Sequence, residues 1–286
     1  MTRTVVDDLG TRVVVPDRPK RIVSLVPNLS EVLWWWRLAG AIVGVTDYCV
    51  APPRAFEGAR RVRGTKNPDV RAIVDLRPDL VVANEEENRE LDVRRLREAG
   101  ISVYVTRVRT VADTAVTFPG LGAAVGEPTA GEALAAGLLR AADTAGRRGP
   151  RLRVVCPIWR DGAHRGAEET WWVVGPDTYA ADLLAVCGMD VRMGIEDSHD
   201  DVAVTRYPRV SLAQLRTADP DALLLPDEPY AFGPEDAGVF ADWRAATRLL
   251  DGTALTWWGP RTPTAIGDLD RLRRQLARPR GGSSRQ

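Results

Sequence analysis

A chain of 286 residues is long enough for one large domain or two ordinary ones. Its 39 basic and 39 acidic side chains cancel, so no overall field recruits nucleic acid or an anionic membrane. Three widely spaced cysteines, Cys49, Cys156 and Cys187, indicate neither a disulfide framework nor a thiolate zinc site, and no apolar run is long enough to span a membrane.

Thr4–Val6 and Arg12–Val15 flank Asp7-Asp8-Leu9-Gly10 and read as a hairpin. Arg21–Leu25 is the first core strand. The helix after it starts at Asn28, with Glu31 completing a capping box. Trp34, Trp35 and Trp36 in its body sit about 100° apart, so they cannot all face one core. Strand Ile42–Val45 runs into a proline-stiffened loop at Pro52 and Pro53 that carries Tyr48, and strand ends of this kind present residues to ligands. The next loop, Arg63–Pro68, lacks a phosphate-loop pattern, but its Lys66 and Asn67 offer polar groups to a large ligand. Strand Leu80–Ala83 empties into an acidic tip with Glu85, Glu86, Glu87 and Glu90, whose mutual repulsion favours solvent or a basic partner. Helix Arg89–Ala99, strand Ile101–Val105 and helix Thr110–Val125 follow.

A long Ala-rich helix then runs from Pro128 towards Pro150, with Thr129 as its cap and Leu134, Leu138 and Leu139 on one side. Beyond it lie strand Leu152–Cys156, an exposed turn around Trp159, and a strand opened by Trp171 and Trp172, of which alternation buries one. Asp177 caps the helix Thr178–Val186. Glu196–Asp201, around His199, reads as an ordinary loop rather than a metal site, His164 being the only other imidazole. Leu212–Thr217 is a helix and Ala222–Leu225 a strand, delivering a second acidic tip, Asp227 and Glu228, followed by Tyr230. A helix through Phe240, Trp243, Ala246 and Leu249, a strand Leu255–Trp257 next to Trp258, a helix within Pro263–Leu276 and a polar tail close the chain.

The segments on either side of the long helix resemble each other. Laying Asp79 on Asp221 aligns DVRAIVDLRPDLVVANEE with RVSLAQLRTADPDALLLPDE: helix, Pro-Asp turn, buried strand, acidic loop. A weaker pair sets RIVSLVPNLSEVL beside TWWVVGPDTYAADLL. Duplication on both sides of one helix points to two similar α/β lobes, 1–127 and 149–286, joined by the helix 128–148. No GxSxG, HExxH or GxGxxG occurs and only two histidines are present, so an enzyme is disfavoured and no catalytic residue or metal ligand is assigned. Binding remains, through flat rings at strand ends of both lobes: Tyr48, Trp159, Trp171 or Trp172, Tyr230, and Trp257 or Trp258, which would suit a large planar ligand in a cleft.

These segments, with IVGVTDYCVAPP, RVRGTKNPDVRAIVDLRPDLVVA and LREAGISVYV, resemble the periplasmic binding proteins with a helical interlobe backbone, nearest their cobalamin-binding branch. The resemblance implies two Rossmann-like α/β lobes of the helical-backbone metal receptor type. It also implies a cobalamin or similar metal chelate held as ligand rather than catalytic cofactor, and delivery to the permease and ATPase pair of an ABC importer by a monomer that does not span the membrane. Ligand contacts then fall to Tyr48, Lys66, Asn67, Trp159, Trp172, Tyr230 and Trp258, and permease docking to Glu85, Glu86, Glu87, Glu90, Asp227 and Glu228. The family is extracytoplasmic, whereas Met1 is followed by a polar segment with no export core, which taken alone reads as cytoplasmic. Competing readings are a siderophore or haem binder, a cytoplasmic enzyme acting on a tetrapyrrole with Glu168, Glu169 or His199 as its titratable group, and an interaction module built on the acidic tips.

Overall fold

A computed structural model describes residues 1–147, 149–162, 169–195 and 206–278. The expected loop around His199, together with His164 and Glu168, lies outside the described residues. The chain divides into two compact units: 1–108 with 112–139 and 257–260, and 109–111 with 140–256 and 261–286.

In the first unit, β1 (Thr2–Val6) and β2 (Arg12–Pro16) form the expected antiparallel hairpin. Its turn is an anchor rather than a mere connection. Asp7 Oδ1 accepts from Leu9 N (3.1 Å) and Thr11 N (2.7 Å), and its Oδ2 meets Arg97 (2.9 Å). Asp8 accepts from Thr117 (2.6 Å) and Arg107 N (2.9 Å), and burial pushes its carboxyl above the usual range. The sheet itself is parallel, in the order β5 (Arg60–Arg61), β4 (Ile42–Val45), β3 (Ile22–Ser24), β8 (Leu80–Asn84), β9 (Val103–Thr106). Its central strands are buried along their whole length, as a sheet covered on both faces requires. A two-stranded ribbon, β6 (Arg63–Gly64) with β7 (Asn67–Pro68), and helices α1 (Pro27–Trp35), α2 (Val70–Asp75), α3 (Glu90–Glu98), α4 (Val111–Val125) and α5 (Pro128–Thr144) complete the series.

Helix α1 corrects the capping-box expectation. It starts at Pro27 after Val26, without a side-chain cap, and Asn28 and Glu31 are buried within it. Asn28 instead donates to the Trp258 carbonyl (3.0 Å). Of the three tryptophans, Trp36 is buried edge-on against Phe118 (6.5 Å), while Trp34 and Trp35 are exposed. Thr129 lies inside α5 rather than capping it, and of the leucines only Leu138 is fully buried. Helices α4 and α5 both contain a boundary between the units, after Val111 and after Leu139, so the expected bridge is a pair of long helices. They touch through backbone: a Cβ on Gly131 would sit 2.3 Å from the Phe118 carbonyl oxygen.

The second unit repeats the plan. Its parallel sheet runs β13 (Met189–Val191), β10 (Leu152–Val155), β15 (Ala222–Pro226), β16 (Ala246–Leu250), and so matches β4, β3, β8, β9 in order. The Asp79–Asp221 alignment holds at the level of atoms. Asp79 Oδ2 accepts from Lys20 N (2.7 Å) and Arg21 N (2.9 Å), and Asp221 Oδ2 from Arg153 N (2.8 Å). Two residues earlier, Arg77 and Asp219 both take positive φ, 44° and 40°. The weaker pair is half right. Helix α6 (Tyr179–Val186) occupies the sequence place of α1 between two parallel strands, but the counterpart of β3 is β10 and not Thr170–Val173.

That segment is β12 (Thr170–Val173), the middle of an antiparallel sheet between β11 (Pro157–Asp161) and β14 (Arg209–Ser211). The expected turn at Trp159 is therefore a strand. The cap of α6 is Thr178, which accepts from Ala181 N (3.2 Å); Asp177 has φ 59° and pairs with Arg109 (2.9 Å). Helix α7 (Leu212–Thr217) carries a true capping box, Ser211 with Gln214. The helix expected through Phe240–Leu249 is the shorter α8 (Pro234–Gly238) followed by turns and β16, because Phe240 and Ala245 are drawn into the Trp171 core. The strand expected at Leu255 is helix α9 (Thr253–Thr256), ahead of α10 (Thr262–Leu276).

Two outcomes follow from this packing. Gly131→Ala should lower stability by about 1–3 kcal/mol in a denaturant titration, because the added methyl has no room against Phe118. All three cysteines are buried, and burial pushes Cys156 and Cys187 up to about 12, so Ellman's reagent at pH 8 should find no reactive thiol until denaturant releases three.

Candidate functional site

The sheet β11-β12-β14 has one face in the core and one outside it. On the inner face lie Arg160, Trp171 and Val210, paired across the strands. Trp171 is fully buried and stacks on Phe232 (5.9 Å, 8° between planes). The Arg160 guanidinium lies 5.1 Å from the Trp171 ring and is held by Glu169 and by Asp236 (2.6 Å). With a quarter of its side chain still exposed, Arg160 is tied by Asp236 to α8 and by Glu169 to the start of β12.

Alternation then fixes the outer face. Trp159, Trp172 and Arg209 form one row across the three strands, and Asp161, Thr170 and Ser211 the next. A bulge between Pro157 and Trp159 brings Trp159 opposite Trp172. Both indoles are exposed, at 45% and 37%, and Tyr230 packs edge-on to Trp159 (5.6 Å). Trp159, Trp172 and Tyr230 are thus gathered on one surface of the second unit. Sequence reasoning missed Asp161, which accepts from Trp159 Nε1 (3.1 Å) and Trp172 Nε1 (3.4 Å); an acid two residues beyond an exposed strand tryptophan was the available signal. It also missed Arg209, which lies 3.7 Å from Asp161 and donates to Thr170 Oγ1 (2.8 Å).

In the first unit Tyr48 is 62% exposed on the loop after β4. That loop is fixed from below. Arg61 donates to the carbonyls of Thr46 (2.8 Å) and Cys49 (3.0 Å), and the Cys49 thiol meets Ser30 and Thr46. Gly64 lets the ring lie close, since a Cβ there would be 3.2 Å from Tyr48 Cε2 and 2.6 Å from Asn67 Oδ1. Tyr48 and Asn67 therefore flank one glycine and both are exposed. Lys66 is exposed too, and its ammonium donates to the Glu86 carbonyl. Trp258, expected at the ligand, has its ring buried near Phe118 (6.2 Å), while Trp257 is half-buried.

The first acidic tip has a buried scaffold. Asn84 Oδ1 accepts from Glu86 N (3.0 Å) and Glu87 N (3.2 Å), and Asn88 ties Asn84 to the Thr65 carbonyl (2.9 Å). Glu85 and Glu90 are exposed and Glu86 is half-buried. Glu87 departs from the expected solvated run, because burial raises its carboxyl above the usual range despite Lys66 nearby. At the second tip Asp227 is exposed, with Oδ1 accepting from Gly252 N (2.7 Å), and Glu228 Oε1 accepts from Thr256 (2.7 Å). Asp227 thus braces the loop between β16 and α9, and Glu228 the end of α9.

Among the described residues no group of three or more His, Cys, Asp or Glu is placed to hold a metal ion. Nor is any helix among them long and apolar enough to cross a membrane. Chemically, the surfaces offer flat apolar rings with polar edges rather than a nucleophile and its base.

The vitamin B12-binding protein of Vibrio cholerae is 28% identical over 117 residues, 41% of this chain and 42% of its own, so the match spans less than half of that relative. The crystal structure of a periplasmic vitamin B12 binding protein of Vibrio cholerae superposes with a TM-score of 0.75 at 20% identity, covering 91% of this chain and 99% of the other. A periplasmic heme-binding protein from Roseiflexus, in apo form, gives 0.74 at 23% identity with the same coverage. At such identities these two likenesses establish the fold. The family profile described as periplasmic binding protein matches residues 22–237, well over half of the sequence, and the chain belongs to that family.

Proposed function

We propose that this protein is the extracytoplasmic binding component of an ABC importer for a corrinoid, cobalamin or a close relative of it. The observation that carries the reading is the pair of exposed indoles, Trp159 and Trp172, with the half-buried Tyr230 edge-on to Trp159, and Tyr48 as a further exposed ring in the first unit. Exposed indoles held rigidly on a strand pair lose little entropy on binding and match the flat, partly apolar surface of a metal chelate. Asn67 beside Tyr48 adds an amide able to donate and accept, and Lys66 a nearby ammonium. The names of the curated relatives favour a corrinoid; haem is the second reading, favoured by the Roseiflexus likeness and by a phenol at Tyr48.

Delivery to a permease is assigned to the acidic tips. Glu85 and Glu90 are the exposed carboxylates of the first, with Glu86 beside them and Glu87 drawn inward; Asp227 is the exposed one of the second, next to Glu228. Carboxylates standing on a scaffold of buried Asn84 and Asn88 are positioned to meet arginines without reordering the loop.

Titration with cyanocobalamin, followed by tryptophan emission and visible absorbance, should give saturable binding at micromolar affinity or better. Trp159→Ala should weaken it by about tenfold or more, roughly 1.4 kcal/mol or above. A flat titration with cobalamin, haem and ferric siderophores alike would remove the reading. In vesicles holding the cognate permease and ATPase, Glu90→Lys should cut uptake while leaving the affinity for free ligand unchanged; equal loss of both would place Glu90 in ligand binding instead.

A further inference from the structure

The outer face of β11-β12-β14 carries a chemical bias at its edge. Indole N–H groups at the rim of an aromatic platform are ready donors to a carboxylate-edged ligand. Here both are already committed, Trp159 Nε1 at 3.1 Å and Trp172 Nε1 at 3.4 Å, to the two oxygens of one residue, Asp161. Arg209, on the same face, is turned to the same carboxylate (3.7 Å) and to Thr170 Oγ1 (2.8 Å). A carboxylate has about four lone-pair sites, and two indole donors leave acceptor capacity unused. Asp161 is not sealed in, since 42% of its side chain is exposed. What the face turns outward beside its rings is therefore an anionic acceptor.

We infer that Asp161 is a specificity-determining residue, selecting a planar chelate rimmed by amide N–H groups over one rimmed by carboxylates. The inference rests on the proposed ligand class and deepens it. An amide edge donates to the spare lone pairs of Asp161, and the low-polarity rings alongside strengthen that bond. A carboxylate edge meets like charge at the same place and finds both indole donors occupied. Trp159 and Asp161 are two apart on one strand and Trp172 faces Trp159 across the ladder, so the three move as one rigid group. Arg209 tempers the field without removing the acceptor, because its guanidinium approaches Asp161 only at 3.7 Å.

The experiment compares two ligands on three proteins. Cyanocobalamin supplies the amide edge and iron protoporphyrin the carboxylate edge, and each is titrated by absorbance against the parent, Asp161→Asn and Arg209→Gln. Asparagine keeps the size of the side chain and one acceptor but loses the charge, so the ratio of cobalamin to protoporphyrin affinity should fall by about tenfold or more. Arg209→Gln leaves Asp161 uncompensated, and the ratio should rise about threefold. This second variant also guards against a folding defect in the first. If Asp161→Asn weakens both ligands equally, Asp161 merely holds the rings and the inference is overturned. An unchanged ratio in both variants overturns it as well. A parent chain that binds neither ligand defeats the proposed ligand class itself, a result plainly distinct from parent binding with an unaltered ratio.

Discussion

One carboxylate at the head of each parallel sheet sets where everything after it falls. Asp79 receives the backbone N–H groups of Lys20 and Arg21 at the entry to β3, Asp221 receives that of Arg153 in β10, and each gives its own N–H back, to Arg21 O and Arg153 O at 2.8 Å. The reciprocal pair pins β8 against β3 and β15 against β10 independently of how the side chains of those strands pack. A parallel strand carries no turn to fix its register, and a slip of one residue would send each buried side chain to the other face. The Pro-Asp turns are thus the constraint on which both sheets depend, and the positive φ at Arg77 and Asp219 is the strain they tolerate for it.

Those turns were also the legible part of the fold. The repeat was visible because an Asp that binds backbone must keep its distance from the strand it staples, and that spacing survives when the surrounding residues change. The weaker repeat misled for a related reason. β12 and β3 are both short apolar runs ahead of a helix, and nothing local separates a strand of a parallel sheet from one of an inserted antiparallel sheet. Phe240, Trp243, Ala246 and Leu249 are spaced as on a helix, yet packing of Phe240 and Ala245 against the Trp171 and Phe232 core goes with turns and a strand there; this is tertiary packing overriding a pattern. The capping box at Asn28 failed because Asn28 had a better partner, the Trp258 carbonyl, 230 residues away.

At the site, residue type carried more than position. The rings at Tyr48, Trp159 and Tyr230 could be picked out as aromatics in loops or at strand ends, and period-two alternation meant that Trp171 or Trp172 would be outward. The choice between the pair depended on Arg160, whose two carboxylate partners, Glu169 and Asp236, bury the side of β11 that Trp171 shares. Trp258 was indistinguishable from Trp257 in sequence and lies inward beside Phe118. Asp161 and Gly64 went unnoticed because each acts through a neighbour: one ties two indoles together, the other gives a phenol room.

The bulge at the start of β11 has a different kind of significance. Ahead of it Pro157 pairs with Val173; beyond it Trp159 pairs with Trp172, so the hairpin changes parity within two residues. Gain or loss of a single residue there would exchange the contents of the two faces, offering Arg160 to solvent and driving Trp159 and Asp161 towards the core. Substitutions can tune this surface gradually, but a one-codon insertion or deletion is all or nothing. Length at this point of the chain should therefore be far less free to vary among descendants of this protein than the identity of the residues displayed beyond it.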